Sequence, residues 1–176
     1  MEKNKLAFVG CGVIGAGLAV NAMLAGFPVA LYDNGDLDVV KKSIREILDM
    51  FVENGAYTRQ QADEAAARAV YTQDLAEAVK DAVFVQESII ERLDIKRDLY
   101  RQIQTLAGDK IVIGSSASNL IPTQLQEGAL FPDKIVLGPP TSSPWWRSSR
   151  ANRPARRPPS SPRRSTPPWA RCPPSR

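Results

Sequence analysis

Directly after the apolar run Lys5-Leu-Ala-Phe-Val9 comes Gly10-Cys-Gly-Val-Ile-Gly15, and behind it a stretch from Val13 to Gly26 rich in small residues. No other feature of the chain constrains its fold so tightly. A short apolar run closed by glycines is the pattern of a strand buried in a parallel sheet. Gly15, Ala16, Gly17, Ala19 and Ala22 suit a helix lying close against that sheet. In G-x-G-x-x-G between strand and helix, each glycine has its own reason. Gly10 permits the tight turn around Cys11, Gly12 lets the backbone approach a pyrophosphate, and Gly15 lets the helix pack on the sheet. The phosphates would meet the free N–H groups of Val13 and Ile14 at the positive end of the helix.

A second strand, Phe27-Pro-Val-Ala-Leu-Tyr32, ends at Asp33, 18 residues past Gly15. A carboxylate there can accept hydrogen bonds from the ribose hydroxyls of an adenosine. Its charge would repel a 2′-phosphate, and Asn34-Gly35 supplies no arginine to compensate. NAD, rather than NADP, is the expected cofactor. The alternative is a glycine turn in an α/β domain that binds nothing.

The alternation continues along the chain. Leu37 to Val52 has helical periodicity, and Gln60 to Ala69 is rich in alanine and charge and also reads as helix. Ala69-Val-Tyr-Thr72 reads as a strand, Asp74 caps a helix through Val79, and Ala82-Val-Phe-Val-Gln86 is a fourth strand. Leu93 to Leu106 is amphipathic, and two further strands are expected at Lys110 to Gly114 and Lys134 to Leu137. The fold class this predicts is α/β, a doubly wound, mostly parallel sheet of Rossmann type over residues 1–138.

Composition separates the remainder. The whole chain carries a net charge of +4 and no histidine. Residues 139–176 hold nine arginines, no lysine and no acid, so that residues 1–138 are net −5. The same 38 residues hold 11 of the 14 prolines, all three tryptophans and not one Ile, Leu, Val, Met or Phe. Such a segment cannot build a core and is expected to be disordered. Nine arginines with tryptophans could contact nucleic acid by charge and stacking. Lysine and Gly-Arg repeats are missing, however, and no nucleic-acid partner is expected. Without histidine, and with only Cys11 and Cys172, the chain has no His–Cys metal cluster, disulfide framework or imidazole-based triad. With neither a membrane span nor a signal peptide to read, the expected setting is the cytoplasm.

Three stretches carry a family resemblance: Ala7-Phe-Val-Gly-Cys-Gly-Val-Ile-Gly-Ala-Gly17, Gln86-Glu-Ser-Ile-Ile-Glu-Arg-Leu-Asp-Ile-Lys-Arg97 and Ser115-Ser-Ala-Ser-Asn-Leu120. Together they resemble the N-terminal NAD-binding domain of the 3-hydroxyacyl-CoA dehydrogenase family, over roughly residues 4 to 138. The Ser-Ser-x-Ser form is similar to the branch containing L-gulonate 3-dehydrogenase and carnitine dehydrogenase. The resemblance implies that Glu91 and Lys96 lie near the nicotinamide end of the cofactor with Ser116 close by. It implies that Ser118 bonds the substrate's hydroxyl or keto oxygen. It also implies hydride transfer to NAD from a small-molecule substrate (a 3-hydroxyacyl-CoA, carnitine or a sugar acid), and a helical C-terminal domain that completes the cleft and the dimer. Read without the resemblance, Ser115 to Ser118 is a capping loop, and Glu91 with Lys96 a solvated helix start.

The resemblance breaks at Gly138. There the family places a histidine, held by a glutamate, as the base for the substrate proton. This chain reads Gly138-Pro-Pro-Thr-Ser-Ser-Pro-Trp-Trp-Arg-Ser-Ser149 instead. Tryptophan has one codon, so Trp145-Trp146 fixes a valine in the frame that begins at each third base. In that frame residues 138–149 can spell Pro-Pro-His-Leu-Val-Pro-Leu-Val-Glu-Val-Val, the family's continuation with a short deletion before it. Residues 139–176 therefore read as an out-of-frame translation, and the chain as truncated and catalytically incomplete.

Overall fold

The computed structural model describes residues 3–138. The expectations for residues 139–176 lie outside the described residues. Six strands form one sheet: β1 (Lys5–Val9), β2 (Val29–Tyr32), β3 (Ala69–Thr72), β4 (Ala82–Glu87), β5 (Val112–Ser115) and β6 (Ile135–Leu137). Their order is β3-β2-β1-β4-β5-β6, with every neighbouring pair parallel. This is the doubly wound arrangement expected from the alternation.

Period-two alternation along the central strand splits the core into two layers. Leu6 and Phe8 face one layer, packed with Ala16, Ala19, Val20 and Met23 of α1 (Val13–Leu24) and with Val40, Ile44 and Leu48 of α2 (Leu37–Glu53). Ala62 and Ala65 of α3 (Arg59–Ala66) complete that layer. Ala7 and Val9 face the other layer, against Val79 of α4 (Leu75–Val79) and Leu99, Tyr100 and Ile103 of α5 (Leu93–Ala107). Leu125 of the short α6 (Pro122–Gln126) joins them.

Local chemistry sets the helix starts. Asp36 accepts the Asp38 N–H at 2.8 Å, and Thr58 and Gln61 form a reciprocal capping box on α3. Asp74 accepts the Ala76 N–H at 2.9 Å, the cap expected for α4. Several boundaries differ from the sequence reading by one to three residues, α3 most at its end, which is Ala66 rather than Ala69. β2 begins at Val29, because Phe27-Pro28 lies ahead of the ladder and Pro28 has no N–H to give. β5 begins at Val112 rather than Lys110, because a 3-10 turn at Gly108–Lys110 follows the end of α5. α6 has no counterpart in the sequence reading, since five residues are too few to display a period.

Candidate functional site

α1 packs on one face of the sheet and α5 on the other, so the carboxyl ends of β1 and β4 open a crevice between them. A cleft of about 590 Å³ occupies it, lined by Gly10, Gly12, Asp33, Asn34 and Ser88, with Asp98 and Gln102 of α5 on the far wall. The glycine loop forms its floor. Gly10 has φ +86°, and a Cβ there would come within 2.8 Å of the Ser88 backbone. A Cβ on Gly15 would lie 1.9 Å from the Gly10 carbonyl oxygen, so helix and loop touch only because Gly15 has no side chain. Gly12 is the opposite case, with nothing within 4 Å of where its Cβ would stand. The first intrahelical bond runs from the Ala16 N–H to the Gly12 carbonyl, leaving the amides of Val13, Ile14 and Gly15 ahead of it. Val13 is 90 % exposed. A bare backbone cradle beside unspent amides is the geometry that a pyrophosphate requires.

Asp33 fixes this loop to the next. Its Oδ2 accepts the Cys11 N–H at 2.7 Å and its Oδ1 the Gly35 N–H at 2.9 Å. The carboxylate thereby stands at the cleft with its orientation set from both sides. The Cys11 side chain is buried, with its Sγ 3.5 Å from the Tyr32 carbonyl oxygen. Burial, and secondarily the Asp33 charge, push its thiol up to about 12, so Cys11 serves the loop through its backbone.

The β4–β5 side holds two carboxylates in different situations. Glu87 is fully buried and accepts four hydrogen bonds: from Lys96 Nζ at 2.5 Å, Tyr100 Oη at 2.5 Å, Ser115 Oγ at 2.8 Å and the Ile89 N–H at 2.7 Å. Burial, then the Glu87 charge, raise the Tyr100 phenol well above its ordinary range. Glu91 is exposed, and its Oε1 accepts the Ser118 N–H at 2.7 Å and the Asn119 N–H at 2.6 Å. Those bonds hold its carboxyl below the ordinary carboxylate range. Glu91 thus clamps the loop after β5 onto the loop after β4.

Glu91, Ser118 and Asn119 therefore stand together, as do Ser116, Ser88 and Gln86. Lys96 does not bond Glu91; it is 1 % exposed and is spent on Glu87 and the Ile89 carbonyl. The reading of Glu91 with Lys96 as a solvated helix start fails for Lys96. Sequence reasoning missed Gln86, Glu87, Ser88, Tyr100 and Ser115. A signal for part of this set was present, since Lys96 and Tyr100 are four apart on the buried face of α5. Among the described residues no group of His, Cys, Asp and Glu could hold a metal, and no helix is long and apolar enough to cross a membrane.

The profile of the family described as 3-hydroxyacyl-CoA dehydrogenase, NAD binding domain, matches residues 5–144. The L-carnitine dehydrogenase/betainyl-CoA thioesterase of Ruegeria pomeroyi is 37% identical over 134 residues, covering 76% of this chain and 27% of that protein. The L-carnitine dehydrogenase of Mesorhizobium japonicum is 33% identical over 143 residues, covering 78% of this chain and 37% of that protein. A solved diketoreductase superposes with a TM-score of 0.73 at 31% identity, covering 78% of this chain and 50% of that one. The chain therefore spans half or less of each of these relatives.

Proposed function

Because the chain belongs to the 3-hydroxyacyl-CoA dehydrogenase family, as its NAD-binding domain, we propose that NAD lies across the β1–β4 crevice and that the protein serves oxidation of a 3-hydroxy group. Gly10, Cys11, Gly12 and Gly15 shape the loop under the pyrophosphate, and the Val13 and Ile14 amides receive it. Asp33 accepts the adenosine ribose hydroxyls and repels a 2′-phosphate. Glu91, Ser116 and Lys96 serve the nicotinamide side, Lys96 acting from below through the carboxylate it neutralises. Ser118 meets the substrate oxygen. When bound, NAD supplies the hydride acceptor.

The observation that carries this reading is the open position at Gly12 beside unspent helix amides, with Asp33 held at the same cleft. The substrate is proposed as a small molecule, a 3-hydroxyacyl-CoA, carnitine or a sugar acid, and relatives named for carnitine support the second. Residues 1–138 form the NAD-binding unit in this proposal, and residues 139–176 an out-of-frame translation of the family's continuation. The greater length of the relatives supports a further domain in intact members, through which they would dimerise. A free, buried Cys11 is compatible with the reducing cytoplasm.

Titration calorimetry tests the cofactor reading. NAD should bind more tightly than NADP, and Asp33→Ala should weaken NAD by about tenfold, the worth of a charge-assisted hydrogen bond, while narrowing the difference between the two. Equal affinities in the unsubstituted chain would overturn it.

A further inference from the structure

We propose that Gln86 is a positioning residue that sets the hydroxyls of Ser88 and Ser116 as a single hydrogen-bond donor for the carboxamide oxygen at the nicotinamide end of the dinucleotide. The proposal rests on the NAD reading above.

Gln86 lies on β4 with no exposed surface. Its Nε2 is 3.1 Å from the Gly114 carbonyl oxygen, 2.9 Å from Ser116 Oγ and 3.4 Å from the Glu87 carbonyl oxygen. Two carbonyls facing this atom fix it as the amide nitrogen, since an oxygen there would meet only lone pairs. Its Oε1 has no partner among the described residues although it is buried. An orphaned buried acceptor is destabilising, and a methionine of similar length would leave none. The amide is therefore accounted for by what its nitrogen does.

What it does is hold the Ser116 hydroxyl oxygen in place against Ser88. Ser116 Oγ accepts from Gln86, and Ser88 Oγ stands 2.8 Å from it. The pair owns two hydroxyl hydrogens, and the bond between them uses one. One donor is left, at a pair of half-buried residues of which Ser88 lines the cleft beside Gly10 and Gly12. The sheet order says which part of the ligand it meets. Asp33 stands at the end of β2, on one side of β1, and the Gly12 cradle stands in the middle. The second half of a dinucleotide must then pass over β4 and β5, where Ser88 and Ser116 stand.

Calorimetry on the full chain with NAD and with ADP-ribose, which lacks the nicotinamide, tests the proposal. Gln86→Met should lower the ratio of NAD to ADP-ribose affinity about 5- to 10-fold, the worth of one neutral hydrogen bond, and Ser88→Ala should lower it similarly. Equal losses for both ligands, or an unchanged ratio in both variants, would overturn it. If Gln86→Met does not fold, as judged by circular dichroism, the ratio measured for Ser88→Ala, a change at a half-buried site, decides alone. Binding of neither ligand to the unsubstituted chain would overturn the NAD reading and this proposal together. ADP-ribose binding with an insensitive ratio would remove this proposal alone.

Discussion

At Cys11 the backbone and the side chain have separate fates: the N–H is donated to Asp33, while the thiol is turned into the core. The raised thiol pKa links it to stability. Between the ordinary value of 9.0 and about 12 the unfolded chain releases this proton and the folded chain keeps it. The unfolded state then binds fewer protons, so stability falls as pH rises above 9, by up to about 1.4 kcal/mol per pH unit for this group. Denaturant titrations from pH 8 to 11 should show that slope as the difference between the unsubstituted chain and Cys11→Ala. Parallel slopes would remove the assignment. Asp33 and the glycines stood out in the sequence because a G-x-G-x-x-G between strand and helix, with an acid at the end of the next strand, is a recognisable spacing. The burial of Lys96 did not, because its partner Glu87 lies on β4 and the only hint on α5 is the four-residue spacing of Lys96 from Tyr100. Gln86 was hidden in the same way, as its partners come from β5 and from the loop beyond.

The start of α1 shows the same logic at the level of an element. Gly15 and Gly17 sit two residues apart in one helix but face different surroundings. A Cβ on Gly15 would strike the Gly10 carbonyl, whereas one on Gly17 would meet nothing within 4 Å. Gly17→Ala should therefore stabilise the chain by about 0.5–1 kcal/mol through helix propensity. Gly15→Ala forces the helix off the loop and should cost more than about 3 kcal/mol, with loss of NAD binding. Thermal and urea unfolding check both, and stabilisation by Gly15→Ala would contradict the loop contact. The long helices and the buried strands were readable because each spans enough residues to repeat its pattern. α6 and the turn before β5 were not, because they are shorter than two helical turns and are set by Pro122 and by the positive φ of Gly108.

For the whole molecule, the parallel, doubly wound sheet followed from the alternation, since right-handed βαβ units leave few other ways to build one sheet; the strand order β3-β2-β1-β4-β5-β6 comes from the structure. Chemistry follows less readily. A secondary alcohol must lose a proton as well as a hydride, and the chain contains no imidazole to take it. The chain should thus bind NAD without producing NADH from 3-hydroxybutyryl-CoA, carnitine or L-gulonate. A gene with the frame restored, and a histidine codon after Gly138, should produce NADH from one of them; turnover by the present chain would refute the assignment of the missing base. One topological feature also governs how such a chain is made. β1 precedes both its neighbours in the chain, so it can pair with β2 as soon as that strand is made but with β4 only later, when Val9 is set against Glu87. Until then one edge of β1 has no partner, and its outward-facing valine and alanine have no second layer to enter. During synthesis the nascent chain therefore passes through a stage with half a sheet exposed to its neighbours, when association with another chain competes with folding. That stage ends once the strand carrying Gln86 and Glu87 has docked and α5 has followed it onto the sheet, so the elements that complete the cleft also close the interval of greatest exposure.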